Sequence, residues 1–182
     1  MKMISLLFLS GLIFISCATD SIKRNTVDGL VYDEENSPVC NVSLYCGEKK
    51  IAETDLYGHF CFDAAVLSGN DAVNFRKDGY ENLELFLSLS DYPSLLYITM
   101  QKTESLIEKA AKSIKEGNYL EAENILTELK KTDRTPEDKK RIAVLECAIL
   151  YRKGKINECI ETASYYYNIF SDPLFLKFKE AF

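Results

Sequence analysis

The side chains with the most reactive chemistry in this sequence are six cysteines and a single histidine. A lone histidine such as His59 can serve as a general base or a metal ligand, but both roles need partners. No second histidine is present, no Cys-x-x-Cys pair occurs, and the cysteine spacings are not those of zinc sites. His59 also lies beside Phe60 and Phe62, which are typical core residues, so we expect a solvated or turn-packed histidine.

The chain also lacks the short motifs of common enzyme classes. It has neither a Gly-rich phosphate loop nor a Gly-x-Ser-x-Gly nucleophile turn. Pairs of carboxylates stay open as a source of acid–base chemistry, because any fold brings distant residues together. The sequence therefore predicts a non-catalytic protein, with no catalytic residues, no metal site and no cofactor.

Cys17, the first cysteine in the chain, ends a stretch whose parts follow the order found in export signals. Lys2 supplies a positive start, and an apolar run follows from Ile4 to Ile15. The run is too short to span a bilayer core, which needs about 20 apolar residues. The ending Phe14-Ile15-Ser16-Cys17 resembles the lipobox of bacterial lipoproteins, which implies cleavage before Cys17 and lipid attachment to its thiol. The alternatives are an ordinary secretory signal with an incidental cysteine and an uncleaved anchor.

The lipobox resemblance implies a location and a membrane partner. Residues 1–16 would be a lipoprotein signal peptide, and the polar residues 17–26 a flexible tether. Two or more acyl chains, such as palmitate, anchor a protein stably. We therefore expect a membrane-anchored lipoprotein of the bacterial cell envelope.

Charge is distributed unevenly over the rest of the chain. Residues 25–100 carry 13 acidic and 4 basic side chains, a net charge of −9, and residues 101–182 carry 14 acidic and 15 basic, a net charge of +1. Neither half has the clustered basic face that phosphate backbones require, which argues against a nucleic-acid partner.

Residues 27–101 have the period-two apolar pattern of half-buried strands. Three such runs are Cys40, Val42, Leu44 and Cys46; Leu83, Leu85, Leu87 and Leu89; and Leu96, Ile98 and Met100. Turn formers separate the strands at Asn36-Ser37-Pro38, Tyr57-Gly58, Ser68-Gly69-Asn70 and Asp78-Gly79. Six or seven short strands without an intervening helix predict an antiparallel β-sandwich.

The same region resembles the carboxypeptidase regulatory-like domain, a transthyretin-like β-sandwich. The matching residues are Val27, Gly29, Val31, Asp33, Pro38-Val39, Val42, Thr54-Asp55, Gly58, Phe60 and Gly79-Tyr80. Asn36 stands where that family usually has glycine, and asparagine tolerates the left-handed region that the turn needs. The resemblance implies an accessory or adhesive role and no peptidase activity.

Residues 103–182 have a helical pattern that occurs twice. Apolar stripes flank Gly117-Asn118 in the first copy and Gly154-Lys155 in the second. The first stripes are Leu106, Ile107, Ala110, Ala111 and Ile114, then Tyr119, Ala122, Ile125, Leu126 and Leu129. The second are Val144, Cys147, Ala148 and Tyr151, then Ile156, Cys159, Ile160, Ala163 and Tyr166. We expect a short closing helix with Leu174, Phe175, Phe178 and Phe182.

The segment Glu116–Ala122 resembles the inter-helix turn of a tetratricopeptide repeat, and Lys153–Cys159 is a looser copy. The resemblance places Ala110 and Ala122, and in the second copy Cys147 and Cys159, where paired helices approach most closely. A generic pair of helical hairpins is the alternative. The repeat register assigns a partner groove on the concave face to Arg141, Val144, Tyr151 and Arg152.

Because Cys147 and Cys159 should face each other across one helix pair, they form a candidate disulfide in an exported protein. The competing interpretation is that cysteine replaces alanine there as a small apolar residue. Cys40 and Cys46 are too far apart on a straight strand, about 20 Å, to form a bridge.

Taken together, these patterns predict an α+β protein of two domains, a sandwich over residues 27–101 and helical repeats over 103–182. The leading hypothesis is a non-catalytic envelope lipoprotein that binds a protein or peptide partner. The alternative is a carbohydrate-binding accessory lipoprotein, which exposed aromatics such as Tyr45, Tyr57 or Tyr92 on one sandwich face would favour. A structural envelope component with no discrete ligand is a third hypothesis.

Overall fold

The structure of the chain is a computed structural model, which describes residues 26–67, 72–87 and 95–180. The predicted signal peptide and Cys17 lie outside these residues, as does the tether up to residue 25. The strands are β1 (Thr26–Asp33), β2 (Ser43–Cys46), β3 (Lys49–Glu53), β4 (His59–Asp63), β5 (Ala72–Arg76), β6 (Leu83–Phe86) and β7 (Leu96–Met100). The helices are α1 (Thr103–Glu116), α2 (Tyr119–Lys130), α3 (Pro136–Arg152), α4 (Ile156–Phe170) and α5 (Leu174–Glu180). The predicted order of a β unit followed by an α-helical unit is confirmed.

The strands form two sheets that enclose one apolar core. The sheet orders are β4-β1-β7 and β3-β2-β5-β6. Leu44, Ile98 and Met100 from the predicted strand runs are buried in this core, and Leu83, Leu85 and Leu87 pack against it. Leu89 lies outside the described residues. The alternating pattern therefore predicted the core-facing side of these strands correctly.

One strand pair differs from the predicted antiparallel arrangement. β1 and β7 are parallel, with Gly29 opposite Leu96 and Asp33 opposite Met100, whereas the other pairs are antiparallel. A parallel pair needs a long connection instead of a hairpin. β1 and β7 are the first and last strands of the unit. β7 lies in the same sheet as β1, whereas β6, the strand before β7 in the chain, belongs to the other sheet.

Three of the predicted turns have the backbone conformation that their residues suggest. Asn36, Gly58 and Gly79 have φ values of 60°, 75° and 81°, in the left-handed region that asparagine and glycine tolerate. The predicted turn at residues 68–70 lies outside the described residues. Asn41 and Gly47, which lie outside the predicted turns, also have positive φ.

The helices form two hairpins at the predicted breaks. Gly117 ends α1 with φ 81°, and its amide and that of Asn118 bond back to the last turn of the helix. In the second hairpin Gly154 has φ 72° and, like Gly117, lies two residues before the next helix begins. The four small residues predicted at the crossing points are completely buried: Ala110, Ala122, Cys147 and Cys159.

The buried side of α3 is wider than predicted. The sequence stripe named Val144, Cys147, Ala148 and Tyr151, whereas the buried residues are Ile142, Ala143, Cys147 and Ile149. α3 contacts α1 and α2 on one side and α4 on the other, so its apolar residues face two clusters. Tyr151 is exposed at the end of the helix.

The closing helix is present as α5. Phe175 is fully buried, and its ring stacks on that of Phe170 with a centroid separation of 5.9 Å. Phe178 packs against the same cluster, Leu174 is partly exposed, and Phe182 lies outside the described residues.

The turn between β1 and β2 fastens the start of α1 to the sandwich. Lys102 Nζ lies 3.2 Å from the buried carboxylate of Asp33 and 2.7 Å from Glu35. Glu34 accepts hydrogen bonds from the Lys102 amide, at 3.2 Å, and from the Ser105 hydroxyl. The carboxylate of Glu34 therefore caps the N-terminus of α1 from a distant part of the chain.

A second link comes from the loop between α2 and α3. Arg134 Nη1 donates to the Tyr80 carbonyl at 2.6 Å and to the Thr103 hydroxyl at 2.8 Å. Its Nε donates to the Leu129 carbonyl at 3.1 Å. One guanidinium thus joins the sandwich, the start of α1 and the end of α2.

Candidate binding surfaces

Two of the four predicted groove residues line one depression on the helical unit, which we call the α1–α3 groove. Its volume is about 340 Å³. Its lining residues are Ile107, Glu108, Ala111, Glu137, Lys140, Arg141, Val144, Leu145 and Leu174. The floor is apolar, and charged side chains form the rim.

Ion pairs hold the rim of the α1–α3 groove. Arg141 forms a two-point salt bridge with Glu104 of α1, in which Nη2 lies 2.8 Å from Oε1. Hydrogen bonding to Glu104 raises the pKa of Arg141 and lowers that of the carboxylate. Lys140 reaches both Glu137 and Asp172, at 3.4 and 3.2 Å. These contacts fix α1, α3 and the start of α5 around the apolar floor.

Tyr151 and Arg152 do not line the α1–α3 groove. They lie in the last turn of α3, and both are exposed. Arg152 is eleven residues beyond Arg141, a rise of about 16 Å along a helix. The repeat register placed the four residues along one helix, but the tertiary structure brings only Arg141 and Val144 into the same groove.

Cys147 and Cys159 meet at the contact between α3 and α4, as predicted. Both are free thiols in the structure, and Cys159 Sγ lies 3.5 Å from the Cys147 carbonyl oxygen. Burial, together with the neighbouring Cys159 and Glu146, raises the pKa of Cys147 to about 12. This arrangement agrees with cysteine as a small apolar residue, and the disulfide stays a prediction.

His59 lies at the surface between two carboxylates. Its side chain is 44% exposed, with Nε2 3.5 Å from Asp28 and Nδ1 4.0 Å from Asp55. Phe60 and Phe62 beside it are core residues, in line with the predicted setting of a solvated histidine. Within the described ranges, no three His, Cys, Asp or Glu side chains come together to hold a metal ion.

The aromatics named for the carbohydrate hypothesis do not form one platform. Tyr45 lies on β2, where the Arg76 guanidinium sits 4.9 Å from its ring centroid. Tyr57 is exposed in the turn between β3 and β4, and Tyr92 lies outside the described residues.

The structure also contains a larger depression that no sequence motif marks, which we call the junction cleft. It consists of two adjoining hollows of about 620 and 650 Å³ between the sandwich and the helical unit. The hollows share Arg76, Asn82, Lys131, Thr132 and Arg134. On the sandwich side the wall residues come from β5, β6 and the turn between them. On the helical side they come from α2 and the loop that follows it, with Leu106 of α1 and Asp138 of α3. No local sequence signal could reveal this cleft, because its two walls belong to separate units.

In the part of the chain that the structure describes, no helix has the length and apolar character needed to cross a membrane.

Comparison with protein-family profiles and with curated proteins finds no match. Among solved structures, the chain is similar to one from an N-terminal interface mutant of a type II cohesin–X–dockerin complex of Acetivibrio cellulolyticus. The identity is 21% and the TM-score 0.36, over 43% of this chain and 58% of that chain. A C-terminal interface mutant of the same complex gives 20% and 0.32, over 42% and 56%. This chain therefore covers little more than half the length of either solved chain.

Proposed function

We propose that this protein is a non-catalytic lipoprotein of the bacterial cell envelope that binds a protein or peptide through its helical unit. The observation that carries the proposal is the α1–α3 groove, which has an apolar floor and a rim of fixed ion pairs. Peptide-binding helical surfaces commonly accept an apolar anchor side chain in such a groove, with charged contacts around it.

The groove suits one anchoring side chain of a partner. Val144, Leu145 and Ala111 provide apolar contact, and full burial of a leucine-sized side chain contributes about 1.5–3 kcal/mol. The rim is already ordered by the Arg141–Glu104 pair, so binding does not have to immobilise these long side chains.

We take the helical unit to be tetratricopeptide-like. Two features support this assignment: both hairpins turn at a glycine with positive φ, and the four small residues at their crossings are completely buried. In such repeats the first helix of each hairpin lines the concave face, which here means α1 and α3.

We take the sandwich to be a carboxypeptidase regulatory-like spacer. The Thr54-Asp55 and Gly58 positions of the resemblance make structural hydrogen bonds in its turns, and Phe60 belongs to the core. A spacer without catalytic residues would hold the helical unit away from the membrane.

The anchor would be a lipid on Cys17, followed by the tether of residues 17–26. The order outward from the membrane would then be lipid, tether, sandwich and helical unit. Labelling cells with radioactive fatty acid tests this part: wild type should incorporate label and Cys17→Ser should not. Equal labelling of the two proteins would contradict the anchor.

The groove is tested by affinity capture from detergent-solubilised envelope with the full chain. Val144→Glu places a charge on the apolar floor and should weaken capture of a specific partner at least tenfold. Tyr165→Glu, on an exposed part of α4, is the matched control and should leave capture unchanged. Melting curves check that both variants fold. A partner retained equally by Val144→Glu would contradict the proposed groove.

A further inference from the structure

The junction cleft has the size of a ligand site. Its hollows, of about 620 and 650 Å³, each fall within the range of about 300–1,000 Å³ that is common for small-molecule pockets. The two hollows adjoin along five shared residues. Arg134, bonded to three separate oxygens, fixes the walls relative to each other.

The walls of the cleft carry hydrogen-bonding groups that the protein itself does not use. The side chains of Asn74, Asn82 and Asn124 have no hydrogen-bond partner among the described residues. Each amide can both donate and accept. Asn74 is half-buried and Asn82 and Asn124 are exposed, so all three amides are accessible to a polar occupant of the cleft.

Arg76 adds N–H donors to the part of the wall that both hollows share. Its guanidinium lies over the Tyr45 ring, 4.9 Å from the centroid, and forms no ion pair with a carboxylate in the described ranges. This cation–π contact leaves the N–H donors of the group available. A planar guanidinium can donate hydrogen bonds to two neighbouring oxygen atoms of one ligand.

The charge of the lining argues against an anionic ligand. The basic residues are Arg76, Lys77, Lys131 and Arg134. The acidic residues are Asp78, Glu81, Glu84, Glu128, Asp133 and Asp138, so the net charge of the lining is −2. Phosphates and polyanionic chains would meet net repulsion here.

The cleft also has apolar surface beside its polar groups. Leu83 lies on the sandwich side, and Leu106, Ile125 and Leu129 on the helical side. A purely apolar ligand would leave the three asparagine amides buried without partners, which is costly. The mixture fits a ligand that has both hydroxyl edges and C–H faces.

From these observations we propose that the junction cleft binds a neutral oligosaccharide. Sugar hydroxyls would bond to Arg76 and to the amides of Asn74, Asn82 and Asn124, while the C–H faces of the rings would pack on the leucine and isoleucine side chains. The site is separate from the α1–α3 groove, with which it shares no lining residue.

Isothermal titration calorimetry on the detergent-solubilised full chain tests the proposal. The probes are neutral gluco-, manno-, galacto- and xylo-oligosaccharides and chito-oligosaccharides, with heparin and a mixed-sequence peptide as alternative classes. Saturable binding of at least one neutral oligosaccharide is expected. Arg76→Ala should weaken it about tenfold or more, and Asn82→Ala several-fold, because each loses hydrogen bonds to the ligand.

The controls are Arg152→Ala and Asn168→Ala, exposed residues of the same types outside the cleft, and neither should change binding. Val144→Glu should also leave it unchanged, which separates this site from the proposed protein groove. Thermal melting confirms that all variants fold. The proposal is overturned if no neutral oligosaccharide binds, if Arg76→Ala and Asn82→Ala bind as wild type does, or if the cleft binds only heparin or the peptide.

Discussion

At the scale of single residues, the segment from Thr54 to Gly58 shows why particular residue types are required in a turn. The Thr54 hydroxyl donates to the Val39 carbonyl at 2.7 Å and accepts the Val42 amide at 2.8 Å. Asp55 Oδ1 accepts the Tyr57 amide at 2.8 Å. Gly58 then adopts φ 75°, and its carbonyl accepts the Val31 amide at 2.9 Å. These bonds join three segments of the sandwich.

Gly58→Ala should destabilise the protein more than Gly47→Ala. Both glycines have positive φ, so each substitution costs about 1–2 kcal/mol for the left-handed backbone. A Cβ at Gly58 would also clash with the Val31 carbonyl oxygen, whereas a Cβ at Gly47 meets open space. Overpacking of this kind adds about 1–3 kcal/mol. Urea unfolding of both variants measures the difference, and equal midpoints would contradict the close approach at Gly58.

Cys147 and Cys159 should resist alkylation in the folded protein. Both are buried, and burial raises the pKa of each thiol, so little nucleophilic thiolate forms. Iodoacetamide should modify the exposed Cys61 first and the two helical cysteines only after denaturation, as mass spectrometry would report. If the two remain unmodified after denaturation without reductant, and react once reductant is added, the candidate disulfide is present.

At the scale of secondary-structure elements, the start of α1 depends on the β1–β2 turn. The helix has no side-chain cap from its own N-terminal residues, and Glu34 supplies one instead. Asp33 positions the turn: its Oδ1 accepts the amides of Glu35 and Ser37, both at 2.9 Å, and Oδ2 lies near Lys102. The helix and the turn therefore order each other.

Asp33 should make stability fall in acid. Burial raises the pKa of this carboxyl, but hydrogen bonds from Ser37, Lys102 and Glu35 and the Lys102 charge outweigh burial, so the pKa lies below its ordinary value. A lowered folded-state pKa contributes stability that is present above the unfolded value of about 3.9 and lost as the pH falls through the folded value.

Asp33→Asn should lower the free energy of unfolding at neutral pH by about 1–3 kcal/mol and flatten its acid dependence. Denaturant titrations across a pH series measure both effects. Glu35→Gln is the matched control, because Glu35 pairs with the same lysine but is 70% exposed, and it should cost less than about 1 kcal/mol. An unchanged acid slope in Asp33→Asn would rule out this role.

At the scale of the whole molecule, Arg134 couples the two units. Its three acceptors belong to the sandwich, to α1 and to α2, and the Tyr80–Lys102 bridge runs beside them. The N–H of Glu81 adds a backbone bond to the Gln101 carbonyl at 2.9 Å. We expect the units to unfold together while these contacts hold.

Arg134→Ala should separate the unfolding of the two units. The substitution removes the guanidinium that donates to the Tyr80 carbonyl and the Thr103 hydroxyl. Loss of these hydrogen bonds should lower the free energy of unfolding by about 1–3 kcal/mol. Arg134→Lys should restore little, because an ammonium cannot span the three acceptors as the guanidinium does. Differential scanning calorimetry should show two transitions in Arg134→Ala and one in Arg152→Ala. A single unshifted transition in Arg134→Ala would contradict the coupling.

Local patterns in the sequence determined the elements of this protein. The period-two runs predicted β2, β6 and β7, and the two Gly breaks predicted both helical hairpins with their small buried residues. These predictions succeed because side-chain alternation, helical periodicity and positive-φ turns depend on residues close together in the chain. The lipid anchor also rests on local sequence, and it stays a prediction.

Only the tertiary structure decided how the elements meet. It paired β1 with β7 in parallel, placed Glu34 at the start of α1 and brought Arg141, but not Arg152, to the α1–α3 groove. It also formed the junction cleft. The contacts responsible join residues far apart in sequence, such as Arg134 and Tyr80, 54 positions apart, and Ser105 and Glu34, 71 positions apart. Contacts at such separations depend on the packing of whole elements, and no short pattern in the sequence encodes them.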